Sequence, residues 1–212
     1  MLSIYYSINF QHQIELTYSE RVRAYLNNCT VGIAGCGGLG STCAVSLARA
    51  GVGKLIIADF DIVTKENLER QYYFLEQVGM LKVNALKDNI QRIDPSIMVK
   101  DINKQLFSSD IFELYSGCDV IVEAFDNAEM KLMIIETVML QLPDIPLVSG
   151  IGLAGWGKTD LLRVHRSENL IVCGDEISEI SETTPLIAPR VGIVSNMEAN
   201  EVLELLMVNF EQ

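Results

Sequence analysis

The chain predicts an α/β fold with a mainly parallel sheet, helices on both faces and antiparallel strands added toward the C-terminus. Three observations carry this. Short apolar runs (VGIAG, KLIIAD, SIMVKDI, DVIVEAF, IPLVSG) alternate with stretches of helical period, the pattern of βαβ units buried on both faces. A loop, Gly35-Cys36-Gly37-Gly38-Leu39-Gly40, falls between the first of these strands and the first long helix. After Gly150 the alternation gives way to two short strand-like runs close together. The order is Rossmann-like.

Taken in order, Ile4, Tyr6, Ile8 and Phe10 alternate weakly, as in a strand. Ser19 to Leu26 reads as a short helix with Ser19 at its N-cap. Residues 1–29 are thus expected to form an N-terminal arm and short helix, and residues 30–212 a single domain. VGIAG is a strand, and Leu39 to Ala50 a helix ended by Gly51. KLIIAD is the second strand. Residues 79–93 place Val83, Leu86, Ile90 and Ile93 at helical spacing and stop before Pro95. SIMVKDI and DVIVEAF are further strands with the helical IFELY between them, then Asn127 to Leu140 is helical and IPLVSG is the fifth strand. TDLLRV and NLIVC suit an antiparallel pair. A loop from Gly174 to Pro189 carries Asp175, Glu176, Glu179 and Glu182, and Val191 to Phe210 closes the chain as a helix.

Composition excludes several classes. The 212 residues hold 28 Asp+Glu against 16 Lys+Arg, a net charge of −12, so a broad nucleic-acid surface, which needs clustered cations, is not expected. No apolar run approaches the roughly 20 residues of a membrane span. The opening MLSIYYSINFQHQIEL lacks a signal peptide's basic start and small-residue cleavage site, and a soluble, cytoplasmic protein is expected. Cys29, Cys36, Cys43, Cys118 and Cys173 are odd in number and unpaired in spacing, which argues against a disulfide framework, and include no C-x-x-C, which argues against a four-thiolate zinc site. Cys173, at a strand end beside an acidic loop, stays open between an inert thiol and a reactive one.

Glycines at Gly35, Gly37, Gly38 and Gly40 permit a tight turn and let the backbone approach phosphate oxygens at the positive end of a helix. Asp59, ending the second strand, is placed to accept hydrogen bonds from a ribose diol. Together they point to an adenine nucleotide and leave NAD and ATP undistinguished. A second stretch, Gly152 to Thr159, matches G-x-x-x-x-G-K-[ST] literally. A P-loop must open a helix, and TDLLRVHRSENLIVC reads as strands, so coincidence is expected. Asn67, Arg70 and Lys82 fall around the nucleotide crevice, where cations suit attack on an α-phosphate and hydride transfer would require none. Asp126, past the fourth strand, suits Mg²⁺ shared with phosphate and water.

GCGGLGST, ARAGVGKLIIADFDIVTKENLERQ, the Lys-Val of GMLKVNAL and AFDN resemble, in that order, the ubiquitin-activating-enzyme-like adenylyltransferases, which include the molybdopterin and thiamine sulfur-carrier activating enzymes. The likeness spans about residues 18–210. It is nearest to the short thiamine-type subfamily through QYYFLEQVGMLKVNALKDN, VIVEAFDNAEMK, the VCGD step and LIAPRVGIVSNMEANEVLELL. The resemblance implies Mg-ATP-dependent adenylation of the C-terminal glycine carboxylate of a small ubiquitin-fold sulfur-carrier protein ending in Gly-Gly, in thiamine thiazole biosynthesis. Carried over, Gly38 approaches the phosphates, Asp59 holds the ribose, Asn67, Arg70 and Lys82 contact phosphates, and Asp126 binds Mg²⁺. It also implies a homodimer in which an N-terminal arginine of the partner enters the phosphate site, Arg21 rather than Arg23 here. The zinc cysteines of many relatives are absent, and residues 175–182 are expected to form a crossover that threads the carrier tail. Three alternatives stand beside this reading: a different carboxylate, such as one on a modified tRNA, a NAD-dependent oxidoreductase, and a non-catalytic scaffold. No separate catalytic domain follows the nucleotide unit, and His12 and His165 lie in no convincing site, which weighs against the oxidoreductase.

Overall fold

The computed structural model describes residues 16–208 and Phe210; the expected strand at Ile4–Phe10 lies outside the described residues. Helix α1 (Tyr18–Leu26) starts one residue earlier than expected. Thr17, not Ser19, is its cap, because Glu20 stands three residues on: Thr17 Oγ1 accepts from Glu20 N at 3.3 Å, and Thr17 N donates to Glu20 Oε2 at 2.8 Å. Leu26 joins the main core, and Tyr18 and Tyr25 meet Phe210 edge-on at 5.8 and 5.3 Å, so α1 is docked on the domain.

Five parallel strands follow the expected runs: β1 (Thr30–Ala34), β2 (Lys54–Asp59), β3 (Met98–Asn103), β4 (Val120–Glu123) and β5 (Leu147–Gly150). Between them lie α2 (Gly38–Ala50), α3 (Lys82–Ile93), α4 (Ser108–Tyr115) and α5 (Ala128–Gln141). Gly51, at φ 107°, ends α2 in the left-handed region, as a C-terminal glycine does. Strands β6 (Arg163–Ser167) and β7 (Leu170–Gly174) form the antiparallel pair, with β7 parallel to β5. β6 starts later than TDLLRV suggests, because Lys158 is left-handed at φ 48° and Thr159–Leu161 makes one 3₁₀ turn. No α-helix opens there, so the P-loop match is a coincidence. Helix α6 (Ala188–Met207) begins earlier than expected, since Pro189 is compatible with a first helical turn.

The sheet order is β3-β2-β1-β4-β5-β7-β6. One face is covered by a core built around Leu47, Leu86 and Val202 of α2, α3 and α6, the other by Ile111, Tyr115, Ile134 and Val138 of α4 and α5. The chain runs outward from β1 through β2 to β3, then returns to place β4 on the other side of β1. That reversal opens a crevice at the carboxyl ends of the strands, where open α/β sheets bind ligands. Among the described residues no helix is long and apolar enough to cross a membrane.

Candidate functional site

A cavity of about 810 Å³ occupies this crevice. Its first wall is the glycine loop. Gly35 has φ 99°, and a Cβ there would meet Ala124 O at 2.7 Å, so only glycine fits. A Cβ at Gly40 would stand 1.9 Å from Gly35 O, which is how closely the start of α2 packs on the loop. The N-cap of α2 is Gly37, and no side chain caps it, so the amide-rich end of the helix stays open toward the cavity. Asp59 braces this wall: one carboxylate oxygen accepts from Cys36 N at 2.7 Å, the other from Asp61 N at 2.8 Å. Remaining lone pairs on those oxygens are available to a diol. Tyr73 supports the loop from behind, donating to Cys36 O at 2.7 Å.

Cations line the same space. Arg70 follows the 3₁₀ turn Lys65–Glu69, and its Nη1 donates to Glu69 Oε1 at 2.6 Å. Lys82 opens α3 with its side chain only 8% exposed, its Nζ 2.8 Å from Asp61 Oδ2. Lys104 and Lys131 also line the cavity. Sequence reasoning missed both; Lys131 lies one helical turn beyond the Asn127 cap, a spacing that marks the same helix face. Its Nζ donates to Glu123 Oε2 at 2.7 Å and Gly150 O at 3.0 Å, and Glu123 accepts further from Ser149 Oγ and Phe125 N.

The expected residues divide. Gly35, Gly37, Gly38, Asp59, Arg70, Lys82 and Asp126 line one cavity; Gly40 packs behind its loop. Asn67 is not among the lining residues: its Oδ1 accepts from Thr64 N at 3.0 Å and caps the 3₁₀ turn. Arg21 is exposed on α1, its guanidinium 5.5 Å from the Tyr18 ring centre and outside the chain's own cavity. Arg23 reaches back to Arg49 O at 3.4 Å, at the opposite end of the sheet from the cavity. Cys173 is fully buried, and burial, reinforced by nearby Glu198, pushes its thiol up to about 12. A thiol so held is not the thiolate an acyl acceptor needs.

The far end of the cavity is made by Gly150–Ala154 and by Ser178, Glu179, Ile180 and Leu186 of the acidic loop. Among the described residues no group of three or more His, Cys, Asp or Glu side chains could hold a metal. An ion at Asp126 would therefore take most of its oxygens from phosphate and water, which suits Mg²⁺.

A glycine loop, a strand-end acid and lysine and arginine side chains around one crevice define a Rossmann-like nucleotide-binding protein. The comparisons with known proteins carry this to a family. The chain belongs to the ThiF family, whose model matches residues 10–211. It is similar to the molybdopterin-synthase adenylyltransferase of Salmonella typhimurium, 28% identical over 186 residues, 85% of this chain and 74% of the relative. It is also similar to the tRNA threonylcarbamoyladenosine dehydratase of Bacillus subtilis, 32% identical over 80% of this chain and 66% of the relative. Among solved structures, Escherichia coli tRNA N6-threonylcarbamoyladenosine dehydratase in complex with AMP superposes with TM-score 0.82 at 18% identity, covering 92% and 93% of the two chains, which shows the shared fold. With its adenylyltransferase relatives, the chain is an enzyme of the nucleotidyltransferase class.

Proposed function

We propose that this protein uses Mg-ATP to adenylate a carboxylate, the C-terminal glycine of a small ubiquitin-fold sulfur-carrier protein, in a route such as thiamine thiazole formation. The observation that carries the reading is the single cavity shared by the glycine loop, Asp59, Arg70, Lys82 and Asp126. In the proposed reaction a carboxylate oxygen attacks the α-phosphorus of ATP, a P–O bond forms, and the bond to pyrophosphate breaks. A C-terminal carboxylate is already ionised at neutral pH, so no general base is required. Catalysis is then positioning and charge neutralisation. The open end of α2 faces the phosphates, Asp59 takes the ribose, and Arg70 and Lys82 balance charge on the phosphate oxygens. Mg²⁺ bound at Asp126 would supply further neutralisation. Arg21 acts from the partner subunit of a homodimer.

A protein tail is favoured over a polyanion by what surrounds the far end of the cavity. Glu176, Glu179 and Glu182 lie on the bordering loop, Ile177 and Ile180 are 74% and 63% exposed there, and Trp156 follows the lining residues at 66%. Apolar side chains set among acids suit a protein surface and repel phosphate backbone. The tRNA-acting relatives motivate a second reading, in which the activated carboxylate belongs to a modified tRNA nucleoside.

The deciding experiment is ATP–pyrophosphate exchange with Mg²⁺. Exchange that depends on a carrier and is lost when its last glycine is deleted is the expected result. Exchange with carboxylate-bearing tRNA and none with any carrier would replace the first reading by the second. Arg70→Ala and Asp126→Ala are each expected to lower exchange by about 10²-fold or more with the fold intact; retained exchange in both would sink the site assignment.

A further inference from the structure

The loop between β7 and α6 is built unlike an ordinary connection. None of residues 176–189 is buried, yet the two residues that bracket them, Asp175 and Arg190, are, with side chains 3% and 4% exposed. They are bonded to each other: Arg190 Nη2 donates to Asp175 Oδ2 at 2.5 Å. Arg190 Nη1 donates to Gly157 O at 2.5 Å, so one guanidinium ties together both ends of the strap and the 152–157 loop facing it.

The rest of the contact set follows from this base. Asp175 Oδ1 accepts from Ile177 N at 3.0 Å and Ser178 N at 2.8 Å, turning the chain as it leaves the pair. Burial works to raise the Asp175 carboxyl, but these N–H groups, the Ser178 side chain and Arg190 hold it below the usual carboxylate range. The backbones press together here. A Cβ on Gly152 would stand 2.1 Å from Asp175 Oδ1, and one on Gly174 1.8 Å from Ile151 O. Further along, Ala154 N donates to Ser178 Oγ at 3.1 Å, and Gly155 N to Pro185 O at 2.8 Å. The strap is thus laid along Gly152–Gly155, with Ser178, Ile180 and Leu186 on the cavity.

A buried ion pair is a poor device for stability alone, since packed apolar side chains often do as well or better. What it adds is direction, because a planar guanidinium bonded to a carboxylate and a carbonyl fixes the angle between segments. We infer that Asp175 and Arg190 are positioning residues that hold residues 176–187 as one wall of the cavity's far end, and so set affinity for the carboxylate substrate without touching it. This rests on the proposed adenylation and adds to it which residues shape the substrate side.

The test uses Asp175→Asn, Arg190→Met and Arg190→Lys in the full-length protein, with three readouts: ATP affinity, KM and kcat in carrier-dependent exchange, and rate of strap cleavage by a glutamate-specific protease. Asp175→Asn and Arg190→Met are expected to raise KM for the carrier by roughly tenfold or more, leave ATP affinity within about twofold, and speed cleavage after Glu176, Glu179 or Glu182. Arg190→Lys should recover part of the KM effect. Unchanged cleavage in both disruptive variants would show that the pair does not hold the strap. Faster cleavage with unchanged KM, or ATP affinity falling in step with KM, would overturn the positioning role. No exchange by the wild type with any carrier or with carboxylate-bearing tRNA would refute the adenylation reading and with it the positioning role, whereas cleavage reports on the clamp independently.

Discussion

Glu198 lies wholly inside the protein, on α6, and neither carboxyl oxygen has a hydrogen-bond partner among the described residues. It stands near Cys43 of α2, Cys173 of β7, Glu123 of β4 and Lys131 of α5, with Oε1 2.9 Å from where a Cβ on Gly150 would be. Burial pushes its carboxyl well above the ordinary value; Lys131 opposes that and Glu123 adds to it. The sign of the consequence follows. A carboxyl raised in the folded state favours folding below its unfolded value near 4.5, and that contribution is lost as pH rises toward the folded value. Glu198→Met is therefore expected to stabilise the protein by about 1–3 kcal/mol at neutral pH, with an advantage that shrinks toward pH 4. Urea melts at several pH values would check it; a constant gap would show that Glu198 does not hold its proton. Nothing in NMEANE distinguishes this acid from exposed Glu204, because enclosure by α2, α5, β4 and β7 is a tertiary fact. That Asp59, Arg70 and Lys82 share one crevice was legible because loop, strand end and helix start are local features that leave a mark in sequence order.

Elements with a single local cause came out of the sequence well. KLIIAD is β2 to the residue, since an apolar run between Gly53 and an acidic step has one way to lie in a parallel sheet. Boundaries shifted where two local rules competed. Both Thr17 and Ser19 can cap, and Glu20 decided between them by completing the reciprocal pair with Thr17. Thr17→Ala should cost about 1 kcal/mol, seen as faster amide exchange through α1 while β1 and β2 stay protected; equal loss of protection everywhere would mean α1 does not melt separately. Asn67 shows the same competition outside the cavity, its side-chain oxygen spent on Thr64 N. The strap's architecture was not legible, because Asp175 and Arg190 meet only once β7 and α6 have packed.

The whole molecule offers two tests. ATP that binds only the folded chain, supplied at a hundred times its dissociation constant, should stabilise it by about 2.7 kcal/mol, raising the melting midpoint by about 5–10 °C. No shift with ATP would contradict the nucleotide site. Arg21 lies on α1, outside its own cavity, so a role in catalysis requires a second subunit. Inactive Arg21→Ala and Arg70→Ala proteins, mixed and allowed to exchange subunits, should regain exchange activity, since one site in each mixed dimer then has both arginines. Failure to complement would remove Arg21 from the mechanism. The order of strands also matters to a chain still being made. Among the described strands β1, β2 and β3 are the first three synthesised and are neighbours, whereas the other edge of β1, Val31–Ala34, waits for Val120–Glu123. A nascent chain on the ribosome therefore carries a half-sheet with a bare apolar edge, the kind of template that invites mispairing. That first half already holds Gly35–Gly40, Asp59, Arg70 and Lys82; Asp126 and the strap are translated later. The newborn protein has the glycine-loop side of its crevice before the strap side, and the β1–β4 seam is where the two are joined.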